Sequence, residues 1–137
     1  YNLKSDLVEI ANAGHQPALL KNGKEFKEFS SSSVPLAVTK HRDESVYKLE
    51  SFNLNSGRIY CFTDGFSECV DENEKEIGID GVKELIIKHQ NLSLKKELKD
   101  ATEEIRLKSL KKDSNERGVK ENNDILDDDL TIIGIGK

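Results

Sequence analysis

The sequence predicts an α+β protein in which helices pack on one side of a largely antiparallel sheet. Three observations carry that expectation. Before Glu68 the apolar residues recur in short strand-like runs separated by Gly, Pro and Asn turns. After Glu68 the apolar period lengthens to about 3.6 over two consecutive segments. The chain then closes on a short apolar run, Leu130-Thr131-Ile132-Ile133-Gly134-Ile135.

Residues 7–13 read as a first strand, apolar on both faces and therefore internal. Gly14-His15-Gln16-Pro17 ends it, because Gly reaches dihedrals other residues avoid and Pro17 drives Gln16 out of the helical region. Ala18-Leu19-Leu20 and Glu25-Phe26-Lys27-Glu28-Phe29 flank Asn22-Gly23, a strong hairpin signal. After a serine link and Val34-Pro35-Leu36-Ala37, residues 45–54 read as a long strand. Its apolar residues change parity, so a bulge near Glu50-Ser51 is expected, or burial of both faces at different ends. Asn55-Ser56-Gly57 turns the chain into Arg58-Ile59-Tyr60-Cys61-Phe62, a strand buried on both faces. That strand stops abruptly at Thr63-Asp64-Gly65, with Gly65 free to take a positive φ.

In the helical half, Asp80 is placed to cap a helix whose buried stripe is Val82, Leu85, Ile86 and His89. Ser93 is placed to cap another, with Leu94, Leu98, Ala101 and Ile105 on one face. Residues 111–127 are rich in Asp, Ser, Asn, Lys and Glu and are expected to form a mobile loop.

Composition narrows the function classes. With 21 basic and 26 acidic residues the formal net charge is −5, and the lysines are dispersed among glutamates. That argues against nucleic acid as a partner, which needs clustered cations. No run approaches a membrane span and no signal sequence opens the chain. The two cysteines, Cys61 and Cys69, then read as reduced thiols of a cytoplasmic protein. The 137 residues suffice for one domain. Methionine is absent even from position 1, so the chain is expected to be a piece of a longer protein.

Chemistry concentrates at strand ends. Asp64 follows the buried central strand, and Asp127-Asp128-Asp129 precedes the closing one. Each alone reads as a solvated turn; together they offer hard oxygen ligands suited to Mg²⁺ or Mn²⁺. Three familiar motif readings of these residues fail. Asp127-x-Asp129-x-Thr131 lies at the wrong end of the chain for a haloacid-dehalogenase nucleophile. A cysteine phosphatase needs Arg six residues after the thiol, where Ser67 and Lys75 stand. An EF-hand beginning at Asp71 lacks its Gly and its final Glu.

Ala13-Gly14-His15-x-Pro17, Pro35-Leu36, Thr63-Asp64-Gly65-x-x-Glu68 and Asp128-Asp129-x-Thr131 occur in an order that resembles the PPM-type (protein phosphatase 2C-like) serine/threonine phosphatases. The resemblance is to their bacterial stage II sporulation and sigma-factor-regulation branch, over nearly the whole chain. It implies an αββα sandwich, two antiparallel sheets flanked by helices. It implies two Mn²⁺ or Mg²⁺ ions that deliver water to a phosphoserine or phosphothreonine, so no protein nucleophile is needed. Asp64 and Asp128 are the implied metal ligands, with Glu68 and Asp129 as further candidates. Gly14, His15, Pro17, Gly65 and Thr131 are the implied structural positions. The implied substrate is a phosphorylated protein such as an anti-sigma-factor antagonist, acted on by a parent chain that carries an upstream sensor or receiver domain and can be membrane-tethered.

Two departures accompany the match. The family's first acidic motif, Gly-Asp, has no counterpart here, so residues 1–137 are expected to be the C-terminal portion of the domain, inactive alone. Ala37 stands where relatives place Gly. The alternative function is a non-catalytic, phosphatase-like binding module.

Overall fold

The structure, a computed structural model, describes residues 1–31, 33–38, 47–71, 73, 75–116 and 129–136, with only the backbone described for 109–116. The elements in order are β1 (Leu7–Ile10), β2 (Ala18–Asn22), β3 (Glu25–Phe29), β4 (Glu50–Asn53), β5 (Arg58–Phe62), α1 (Asp64–Ser67), α2 (Gly78–His89), α3 (Leu94–Glu116) and β6 (Ile132–Gly136). This is the expected α+β content, arranged as a two-stranded sheet β1-β4 and a four-stranded sheet β3-β2-β5-β6. The chain divides into two compact units, one of Tyr1–Cys61 with Gly134–Lys137 and the other of Phe62–Ile133.

In the first unit, side-chain alternation builds the core. Ala18 and Leu20 of β2, Phe29 of β3 and Ile59 of β5 meet Val8 of β1 and Leu54 in one buried cluster. Phe29 stacks on Phe52 with ring centroids 4.9 Å apart, and Lys27 sits over Phe29 while pairing with Glu50 at 2.9 Å. The opposite parity is buried too. Leu19 and Tyr60 are register partners with no exposed surface. Fully burying a side chain of this size contributes about 1.5–3 kcal/mol, so β2 and β5 are secured from both faces.

Several boundaries depart from expectation for local reasons. The first strand ends at Ile10 rather than residue 13, pairs only with β4 among the described residues and exposes Glu9. Among the described residues it is half of a two-stranded sheet rather than internal, and it stops early where Asn12 bonds the carbonyls of His15, Gln16 and Phe29. The hairpin turns on Gly23-Lys24, one residue later than Asn22-Gly23, since Asn22 still pairs with Glu25. Gly23 supplies the positive φ there, +60°. The strand expected over 45–54 is β4, beginning only at Glu50; Leu49 is exposed and Leu54 buried, so the parity conflict disappears without a bulge. Residues 39–46 lie outside the described set. Ala37 occupies φ +69°, a conformation that favours Gly, in the turn closed by Val38 N–H to Pro35 O at 3.4 Å.

In the second unit α1 packs on α2, and α2 on α3. Val82, Leu85 and Ile86 are the buried stripe of α2, while Ala101 and Ile105 are buried on α3. Asp80 does not cap α2. The helix begins two residues earlier at Gly78, and Asp80 lies in its first turn, bonded by Lys83 at 2.7 Å. The third helix runs through Glu116, so residues 111–116 of the expected loop are helical; extending a formed helix costs far less than nucleating one. The rest of that loop, 117–127, lies outside the described residues. Glu97, unforeseen as a core residue, is 1% exposed.

Glu104 on α3 joins the two long helices. One of its carboxylate oxygens accepts Lys88 Nζ at 2.7 Å and lies 3.2 Å from His89 Nε2, and Lys108 Nζ is 3.6 Å from the other. Burial alone would push its pKa up, but the hydrogen bonds from Lys88 and His89 and the charges of Lys88 and Lys108 outweigh it and hold the carboxyl below its usual range. A depressed folded pKa means stability that is present above the unfolded value and lost as pH falls through the folded one. Glu104→Gln should therefore cost about 0.5–1 kcal/mol near pH 7, a modest value because solvent screens these pairs, and almost nothing at an acid pH well below the depressed folded pKa. Urea denaturation at both pH values checks this. An equal cost at both would contradict the ion-pair origin.

Candidate functional site

The site begins where β5 ends. Thr63 is extended, and the chain then makes a single helical turn, α1, rather than an open Asp-Gly turn. The expected positive φ at Gly65 is not used; Gly65 is helical. The turn is fixed by its own polar groups, since the Asp64 carbonyl accepts the Glu68 N–H at 2.8 Å and the Ser67 hydroxyl at 3.0 Å. Phe66, fully buried, anchors it from below and packs against Phe62 with centroids 6.3 Å apart. Asp64 and Glu68 sit at the two ends of this turn, both exposed. An apolar strand and one buried phenylalanine thus hold a carboxylate-bearing backbone rigid while leaving its head groups in water.

The start of the closing segment is fastened to the same place. Thr63 N–H donates to Thr131 O at 3.0 Å, and Thr131 N–H donates to the Thr63 hydroxyl at 3.0 Å. That hydroxyl in turn donates to Asp129 O at 2.6 Å. The backbone of Asp129 is therefore held one residue from Asp64, although 66 positions separate Thr63 from Asp129 in sequence. Asp128 lies outside the described residues. Thr63 had no role assigned from the sequence. Its signal was present in the Thr-Asp-Gly triplet, as a β-branched hydroxyl residue at the position directly after a strand.

Among the described residues, no three His, Cys, Asp or Glu side chains come together as a metal cluster. The donor chemistry present at the β5 end, carboxylates on a rigid backbone, fits a hard divalent cation in type. The thiols do not fit a nucleophilic role. Cys69 is buried, with Sγ 3.7 Å from Val70 O, and burial raises the pKa of half-buried Cys61, which favours the unreactive thiol. A separate cavity of about 350 Å³ opens beside Asp71, α2 and α3, lined by Lys75, Glu76, Asp80, Lys88, Glu104 and Lys108 among others.

In the other unit, residues 13–17 form a turn built by side chains. Asn12 Oδ1 accepts His15 N–H at 2.9 Å, and the Ser31 hydroxyl oxygen accepts Gly14 N–H at 2.7 Å. His15 is exposed, its Nδ1 lying 3.1 Å from Gln16 O; Pro17 is half-buried and leads into β2. Gly14 adopts φ +84° against Pro35.

The profile of the stage II sporulation protein E (SpoIIE) family matches residues 1–136. Among solved structures, the phosphatase domain of the cell fate determinant SpoIIE from Bacillus subtilis, presoaked with Mn, is 16% identical with a TM-score of 0.56, over 98% of this chain and 52% of that one. The RsbU and RsbW domains of a Mycobacterium tuberculosis protein are 18% identical with a TM-score of 0.58, over 76% of this chain and 29% of that one. The chain therefore spans about half of the first and under a third of the second. No curated protein matches.

A Cβ at position 14 would fall 2.5 Å from Pro35 Cγ as well as occupying a left-handed backbone. At Gly23 it would meet nothing within 4 Å. Gly14→Ala is expected to cost about 2–3 kcal/mol and Gly23→Ala only ~1. Urea unfolding of the two variants checks this, and equal costs would show that the Gly14–Pro35 approach is not close.

Proposed function

The chain belongs to the SpoIIE family, PPM-type phosphatases of sporulation and sigma-factor regulation, and on that premise we propose that it serves the hydrolysis of phosphoserine or phosphothreonine on a signalling protein, with Mn²⁺ or Mg²⁺ as cofactor. The observation that supports this most is the fastening of Asp129 to Thr63, which puts the end of the acidic run next to Asp64.

Asp64 and Asp128 would hold the ions, with Glu68 and Asp129 as additional oxygen donors. When bound, such ions polarise phosphoryl oxygens and lower the pKa of a coordinated water. The chain's own contribution is positional. β5 and Phe66 fix the backbone of Asp64, and the exposed carboxylates face solvent from which a phosphorylated loop can approach. Neither thiol is offered as a nucleophile, in keeping with direct attack by water. The substrate is a phosphorylated protein, for which an anti-sigma-factor antagonist is the family-consistent choice.

The test is phosphate release from a phosphoserine protein by the protein carrying this chain, with and without Mn²⁺. Asp64→Asn keeps the side-chain shape and removes its charge, and should lower Mn²⁺-dependent turnover by at least ~100-fold. Cys61→Ser should leave turnover within about twofold. Full activity in Asp64→Asn would contradict the proposal. A wild-type protein inactive on several phosphoproteins in excess Mn²⁺ would favour a phosphatase-like binding module instead.

A further inference from the structure

The register of β2 on β5 sets Lys21 directly opposite Arg58. Opposed residues of an antiparallel pair share one face, with Cβ atoms about 4.5–5.5 Å apart, and two like charges there repel. The backbone under them is tightly held. A Cβ at Gly57 would collide with Asn22 Oδ1 and fall 3.1 Å from Lys21 O, so the turn before β5 lies hard against the end of β2. Beyond Arg58, a Cβ at Gly136 would fall 2.6 Å from Arg58 Cγ, so the arginine stem lies across a glycine.

Lys21 is only 9% exposed. Among the described residues its ammonium makes neither a hydrogen bond nor an ion pair, whereas Arg58 has an interaction of its own. No sealed side-chain nitrogen there lacks a partner, so the Lys21 ammonium reaches water at the tip of a covered stem. A cation covered this far is costly unless a counter-charge joins it, and a second cation opposite raises that cost. The two charges therefore stand together where neither supplies what the other needs.

We propose that Lys21 and Arg58 form a binding site for a phosphate group, at the start of β5 and so at the other end of that strand from Asp64. Two adjacent cations balance a phosphate dianion, whereas a single carboxylate would leave one of them uncompensated. The ammonium and the guanidinium fork can donate to separate phosphate oxygens. Narrow access to Lys21 favours free inorganic phosphate over a phosphoryl group carried on a protein. The site needs no divalent ion and is independent of the metal reading above.

The probe is inorganic phosphate, titrated calorimetrically into the protein carrying this chain in metal-free chloride buffer at constant ionic strength. A phosphoserine peptide is the second probe. Wild type should bind phosphate, and Lys21→Met, which keeps an apolar stem without the charge, should weaken binding at least ~10-fold. The same variant should hold or raise the urea midpoint in phosphate-free buffer, because it relieves the repulsion with Arg58. If methionine disturbs the fold, Lys21→Gln carries the same test. Asp64→Asn should leave phosphate binding unchanged, which separates this site from the proposed metal site. Peptide binding no tighter than that of phosphate supports the free ion as ligand, and tighter binding overturns that assignment. Unaltered affinity in a folded Lys21→Met, or no phosphate binding by wild type, overturns the proposal. A lowered midpoint of Lys21→Met in phosphate-free buffer also overturns it, since an internal counter-charge would then already hold Lys21.

Discussion

A strand buried on both faces has to end in polar residues, and the way β5 ends governs the site. Ile59, Tyr60 and Phe62 are each no more than 4% exposed, yet two residues later Asp64 is in solvent. The transition is made in one helical turn whose buried residue, Phe66, continues the apolar anchoring past the strand. Burial fixes the backbone and polarity frees the head group. A carboxylate so placed loses little further entropy on meeting a ligand, because its backbone is already fixed by packing. The same end of β5 captures the closing segment through Thr63, so two stretches remote in sequence share one rigid origin.

The apolar content of each segment was legible because burial imprints periodicity. The central strand, the Ala18–Asn22 and Glu25–Phe29 hairpin, and the Val82, Leu85 and Ile86 stripe follow directly from it. What was not legible depends on polar side chains acting on backbone. The first strand stops early where Asn12 bonds three carbonyls, contacts with no periodic signature. Gly65 looked like a turn residue, but a helical turn with carbonyl, amide and hydroxyl partners was available. Glu97 broke the expected pattern by burying an acid on α3. Of the site, Asp64, Glu68 and Asp129 were identifiable as residue types in suggestive places. Their fastening through Thr63 was not, because a hydroxyl's dual use is settled only by tertiary approach.

Charge also ties together the helices of the unit that contains this site. Glu104 collects Lys88, His89 and Lys108 between α2 and α3, beside an open, polar cavity. There the carboxylate is paired with lysines of the protein itself. At the end of β5, Asp64 and Glu68 stand at the two ends of one helical turn, and the backbone of Asp129 is bonded to Thr63 beside them.

The most direct test of the account is where a paramagnetic ion settles. Substoichiometric Mn²⁺ added to isotope-labelled protein broadens amide resonances near the bound ion. If the end of β5 and the closing segment form one site, Asp64, Gly65, Asp129 and Thr131 should broaden together, ahead of Lys88 and Glu104 on the helices. Broadening centred on the α2–α3 cavity, or at Asp64 without Asp129 and Thr131, would contradict the claim that the chain builds a single acidic site there.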